Sequence, residues 1–144
     1  MSIKIRRGTI EELVRVHNLI PEFIHKTEIE ELNKRLNVKS ALILLAEVED
    51  KVVGFKAGYA TSKKVFYSWI GGVLPKYRRK GIAEKLLLEM EKILKKKRYK
   101  TLTYKTRNKY YPMIFFGAKN GFSIVNFEKK ESVLENRIFF EKKL

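Results

Sequence analysis

Cysteine is absent from this chain, which excludes disulfides, thiolate metal ligands and a thiol nucleophile together. His17 and His25 are the whole histidine complement, so a histidine-built metal site is excluded as well, and no metal is expected. No run of about 18 apolar residues is long enough to span a bilayer, and Met1-Ser2-Ile3-Lys4 leads into no apolar signal core. The expectation is a cytoplasmic protein without a membrane partner. Nor is there a Pro/Gly/Ser-rich linker, a low-complexity tract or an internal repeat. Residues 1–144 therefore read as a single domain, large enough to bury a real core.

Acidic residues are scarce. Sixteen Asp or Glu face 32 Lys or Arg, a formal charge of +16. The excess is uneven: residues 75–109 hold fourteen Lys or Arg against Glu84, Glu89 and Glu91, a net +11. Such a field attracts phosphates, whether of a nucleotide-like cofactor or of nucleic acid, although any one lysine is as easily a solvated surface residue.

Within the basic region an apolar strand, Val65 to Val73, runs into Leu74-Pro75-Lys76-Tyr77-Arg78-Arg79-Lys80-Gly81-Ile82-Ala83, and that loop opens onto an amphipathic helix reaching about Lys97. A helix start offers unpaired N–H groups and the positive end of its dipole, so it suits an anion. Gly81 permits a close backbone approach or a positive φ, and Arg78, Arg79 and Lys80 add cationic side chains at the same place. The loop is not a Walker A motif, and it lacks the three glycines of a dinucleotide fingerprint.

Around this unit the patterning is regular. Ile3 and Ile5 alternate with Lys4 and Arg6 in a first strand, and Thr9-Ile10-Glu11-Glu12 reads as a capping box opening a helix. That helix runs on to Ile20 and Pro21, and a second helical stretch carries Phe23, Ile24, Ile29, Leu32 and Leu36. Ala41 to Val48 and Val52 to Tyr59 read as a hairpin pair. Gly71-Gly72 point to a bulge or close packing near the end of the central strand. After the strand Thr101 to Thr106, Asn108 is placed to cap a helix over Tyr110 to Lys119, which stops at Asn120-Gly121. Phe122 to Glu128 and Val133 to Lys142 form a closing antiparallel pair.

Arg78-x-x-Gly81-x-Ala83, preceded by Val73-Leu74-Pro75-Lys76-Tyr77 and followed by Asn108 and Gly121-Phe122, resembles the GNAT family of acetyl-CoA-dependent N-acetyltransferases over nearly the whole chain. The resemblance implies an α/β (α+β) fold in the order βααβββαβαββ, a mixed, mostly antiparallel sheet with helices on both faces. It implies acetyl-CoA as cosubstrate, its pyrophosphate held by Arg78, Arg79, Lys80, Gly81, Ile82 and Ala83. The acetyl carbonyl would be held by the backbone N–H of Val73 or Leu74, and the pantetheine contacted by Asn108. The first two helices would wall the acceptor site, making His17, His25, Glu28, Glu30 and Glu31 candidate contacts, Glu28 the foremost.

The implied activity is acetyl transfer directly to a primary amine of a small molecule or peptide. Two features depart from the family's pattern. Residues 65–74 contain no carboxylate to act as base, and Phe115 and Gly117 stand where a tyrosine acid is common, leaving Tyr111 as the nearest phenol. A non-catalytic acyl-CoA-binding regulator on the same fold, and a basic nucleic-acid- or ribosome-associated module, are the alternatives. Specific nucleic-acid binding is not expected, because no aromatic RNA-binding motif interleaves the basic residues. A homodimer is left open.

Overall fold

The structure, a computed structural model, describes residues 1–23 and 26–144, and the side chains of residues 26–28 lie outside the described residues. Ile24 and His25 fall outside it altogether. Among the described residues, seven strands and four helices follow one another as β1 (Ile3–Arg7), α1 (Ile10–His17), α2 (Lys26–Leu36), β2 (Leu42–Val48), β3 (Lys51–Ala60), β4 (Val65–Val73), α3 (Ile82–Lys96), β5 (Thr101–Arg107), α4 (Tyr111–Lys119), β6 (Ser123–Glu128) and β7 (Arg137–Lys143). This is the expected element order. One sheet holds all the strands as β1-β2-β3-β4-β5-β7-β6, antiparallel except where β4 and β5 run parallel.

Local chemistry accounts for the boundaries. Thr9 accepts from the Glu12 N–H while Glu12 Oε1 accepts from the Thr9 N–H, which completes the capping box of α1. That helix ends at His17, one turn earlier than the apolar spacing through Ile20 suggests. α3 has a continuous buried stripe of Ile82, Leu86, Leu87, Met90 and Leu94. β2 is buried along both faces, as its unbroken apolar sequence requires. β6 is the opposite, an edge strand whose six residues are all exposed, Ile124, Val125 and Phe127 among them. Val133 to Glu135, expected as the start of the last strand, form a 3-10 turn instead.

The helices divide between the faces. A Cβ placed on Gly54 would meet Ile82 of α3, whereas one on Gly72 would meet Ile20 and Phe23, so alternate positions on β3 and β4 address α3 or the α1–α2 side. α4 lies on the α3 face, with Lys119 bonded to Glu84 and Gly117 set against Tyr104 and Phe140.

Of the two readings of Gly71-Gly72, the structure supports close packing, and the bulge lies elsewhere. These two residues pair regularly with Lys56 and Phe55, while the register passes from Ala57↔Ile70 to Gly58↔Ser68 and leaves Trp69 as the extra residue. Gly58 makes the bulge feasible, since a Cβ there would lie 2.0 Å from the Tyr67 carbonyl oxygen. The glycine at 72 serves close packing against Ile20 and Phe23.

Candidate active site

The site begins where β4 leaves β5. The parallel pairing covers only Val65↔Thr101, Phe66↔Leu102 and Tyr67↔Thr103, after which the two strands diverge. Val73 stands opposite Gly54, while the Leu74 N–H donates to the Val53 carbonyl at 2.8 Å. Because an antiparallel ladder alternates inward and outward groups, the N–H and C=O of Val73 are directed away from β3 and into the gap. Of the two N–H groups expected to hold an acetyl carbonyl, Leu74's is thus engaged within the sheet and Val73's faces the opening.

Below the gap lies the loop. Pro75–Tyr77 form one 3-10 turn, Arg79 takes φ 62° and Gly81 takes φ 80°, so two left-handed residues fold the chain back onto the start of α3. Gly81 is required here on conformational grounds, and a Cβ on it would meet nothing within 4 Å. α3 starts without a side-chain cap, so its first N–H groups face that open space. Lys80 and Ala83 are exposed beside it, whereas the Ile82 side chain is 1% exposed in the core and offers a ligand only its backbone. Arg78 turns the other way. Its Nε donates to the Val73 carbonyl at 2.9 Å, and its Nη1 lies 2.8 Å from Glu22, whose carboxyl it holds below the ordinary range.

On the opposite face, the bulge turns both Trp69 and Ile70 toward α2, where they form a concavity of about 260 Å³ with Phe23, Glu31 and Arg35. Arg35 sits 4.6 Å above the Trp69 ring, pairs with Glu31 at 2.6 Å and donates to the Tyr59 hydroxyl. A second concavity of about 250 Å³ adjoins the first at Trp69, and Tyr67, Lys105, Arg107, Tyr110 and Arg137 contribute to its wall. Burial pushes the Tyr67 phenol up to about 12, so it is neutral and able to donate.

Other expected positions differ. Asn108 does not cap α4: its amide donates to the Val133 carbonyl at 3.3 Å and its N–H to Asn136, and the helix starts at Tyr111 behind an uncapping Tyr110. Tyr111 is 53% exposed and lines neither concavity. Phe115 is exposed and Gly117 buried, with the Tyr104 hydroxyl 2.0 Å from where a Cβ on Gly117 would lie. His17 is fully buried and stacked on Phe23 at 4.6 Å, a core residue. Glu28 falls in α2, but its side chain is outside the described residues. Glu31 reaches the first concavity. Trp69, Lys105 and Arg137 carried no local signal as site residues; register alone brings them together.

A family model described as the acetyltransferase (GNAT) family matches residues 10–122. The chain belongs to that family. Solved structures agree in fold. A GNAT family acetyltransferase from Elizabethkingia anophelis with acetyl-CoA bound is 21% identical, covered 99% of this chain and 98% of its own, at TM-score 0.79. The PaiA N-acetyltransferase from Thermoplasma acidophilum in complex with coenzyme A is 22% identical over 100% of both chains, at TM-score 0.76. The ribosomal-protein-S18-alanine N-acetyltransferase from Escherichia coli is 15% identical over 99% of this chain and 94% of its own, at TM-score 0.83. No curated protein sequence compared with the chain matches it. Among the described residues, no helix is long and apolar enough to cross a membrane, and no three His, Asp or Glu side chains gather as a metal site.

Proposed function

We propose that the chain transfers the acetyl group of acetyl-CoA directly to a primary amine. One observation carries this: β4 parts from β5 after Tyr67, opening a gap that runs from the aromatic concavity at Trp69 to the outward Val73 N–H and the uncapped start of α3. Arg79, Lys80 and the N–H groups of Gly81 to Ala83 would hold the pyrophosphate, with Arg78 bracing the loop. The pantetheine arm would follow the gap beside Gly71, which is exposed on the α3 face.

Val73 N–H would then donate to the thioester carbonyl and to the oxyanion that forms when the amine attacks. The amine's lone pair makes the C–N bond, the C–S bond breaks, and the thiolate of CoA departs while the amine's proton passes to water. β4 holds no carboxylate, so alignment and oxyanion stabilisation supply most of the rate; proximity alone can contribute about 7–11 kcal/mol.

Gly81→Asp tests the cofactor half. A side chain and a negative charge at the pyrophosphate position should weaken CoA at least about a hundredfold in calorimetric titration, or about 2.7 kcal/mol. Unchanged CoA affinity in a folded Gly81→Asp protein would sink the assignment. Release of free thiol from acetyl-CoA across a panel of amines tests the other half, and CoA binding with no turnover on any amine would favour the regulator instead.

A further inference from the structure

We propose that the acceptor amine carries a neighbouring carboxylate, and that Lys105 and Arg137 bind it beside Trp69. This rests on the transferase reading of the same site and adds the class of substrate. The floor of the two adjoining concavities is aromatic: the Tyr59 ring stands edge-on to Tyr67 at 5.7 Å and to Trp69 at 6.4 Å. Over this floor the cations collect. Lys105 Nζ lies 5.4 Å from the Tyr67 ring and 6.0 Å from that of Phe139, and Arg137 stands across the ladder from Arg107.

Among the described residues, three nearby carboxylates are already engaged. Glu31 is held by Arg35, Glu135 by Lys109 and Arg107, and Glu128 by Lys130. Among the described residues, Lys105 and Arg137 form no ion pair. Their mutual repulsion registers on Lys105, whose ammonium is depressed first by burial and then by Arg137, Arg35 and Arg107, with Glu128 opposing. A site that crowds cations over a concave aromatic floor is stabilised by an incoming anion, and it rejects polycationic amines on the same ground.

Geometry fits the anion to the second concavity and the amine to the gap. Lys105 and Arg137 line the side of Trp69 toward β5 and β7, while the strands part immediately past Tyr67. Val73 lies six residues past Tyr67 on β4, so a ligand with its carboxylate on Lys105 and Arg137 would extend its nitrogen along the opening toward Val73. Free amino acids and peptides with an acidic amino terminus both present this chemistry.

The experiment uses Trp69, the chain's single tryptophan, as an internal reporter that needs no turnover. Its fluorescence is titrated, with CoA present, against alanine and alaninamide, and against a tripeptide amide of acidic sequence and its Asn/Gln counterpart. The carboxylate member of a pair should bind at least about tenfold more tightly, the advantage of one charge-assisted contact. The pair that responds identifies the source, amino acid or peptide. Lys105→Gln/Arg137→Gln should erase the difference, and Lys105→Glu/Arg137→Glu should reverse the ranking toward a diamine, both with CoA affinity unchanged. Both positions reach solvent, so the variants keep the core intact, and a melting curve checks this. Equal affinity for carboxylate and amide members, a better response to the diamine in the wild type, or tighter binding of a short single-stranded RNA at about 150 mM salt would overturn the proposal. Carboxylate-bearing acceptors that bind but release no thiol would refute the transferase reading while leaving the anion site standing.

Discussion

The two faces of the sheet around β4 solve recognition with different materials. On the α3 face the proposed ligand groups are main-chain ones, which Val73, the left-handed loop and the first turn of α3 would supply, all within a dozen residues of one another. On the α1–α2 face they are side chains from β3, β4, β5, β7 and α2, assembled only by strand register. A main-chain site is broken by what a new Cβ or charge does to the backbone, and a side-chain site by deleting the groups themselves.

The sharpest way to break the distinction is to remove the bulge that creates it. Gly58→Ala would drive a Cβ to 2.0 Å from the Tyr67 carbonyl oxygen and 3.0 Å from Ser68 Cα, both backbone atoms that cannot step aside. Either the protein loses roughly 3 kcal/mol in urea unfolding, or β4 loses its bulge and Trp69 turns away from Tyr59. A red or blue shift of the Trp69 emission in the native state reports the second course. A variant as stable as the wild type with unaltered emission would show that the bulge is not what aims Trp69.

This bulge is also why the acceptor side was hidden in the sequence. Simple alternation along Val65 to Val73 puts Tyr67, Trp69, Gly71 and Val73 on one face. In the fold Tyr67 and Trp69 face α2, while Gly71 and Val73 face α3, because one extra residue inverts the pattern between them. The paired glycines lie two and three residues past the bulged Trp69. Lys105 and Arg137 are ordinary basic residues in their own strands, and only the ladder Lys105↔Phe139 and Arg107↔Arg137 makes them neighbours. By contrast the loop over 73–83 was readable because contiguous residues build it, as were the helices and strands whose periodicity meets one partner layer. Asn108 misled for a related reason: the turn from Ser132 to Asn136, distant in sequence, takes its amide before α4 can. The exposure of β6 had no local signature, since Phe122 to Glu128 read only as one strand of a closing antiparallel pair.

A smaller effect sharpens the α3 face. Lys56 on β3 reaches toward Phe116 of α4, 6.0 Å from its ring, and burial pushes its ammonium down to about 8, partly offset by Glu91. Its proton is therefore lost more readily in the folded chain than in the unfolded one. Between about pH 8 and 10 the unfolded state binds the extra proton, so this residue makes stability rise with pH, by up to about 1.4 kcal/mol per pH unit for one proton. Lys56→Met should flatten that rise in urea midpoints measured at pH 8 and 10, with the Trp69 response to acceptors unmoved. An unchanged slope would mean that the Lys56 amine is as well solvated folded as unfolded.

The smallest expected effect concerns Tyr111. The thiolate that leaves CoA is far less basic than an alkoxide, so an acid placed beside it gains less, and a general acid typically contributes 10²–10⁴-fold where it acts. Tyr111 opens α4 half out of the protein, apart from both concavities, and nothing in its surroundings fixes the phenol over the gap. Tyr111→Phe removes the hydroxyl and keeps the ring, so it isolates proton donation from packing. The expected change in kcat is within about tenfold, with CoA affinity constant, because alignment along Val73 continues to deliver the larger share of the barrier reduction. A loss beyond about a thousandfold would instead make Tyr111 an essential acid. It would require α4 to bring that phenol over the thioester in the loaded protein, and would place decisive side-chain chemistry on the face that otherwise works through its backbone.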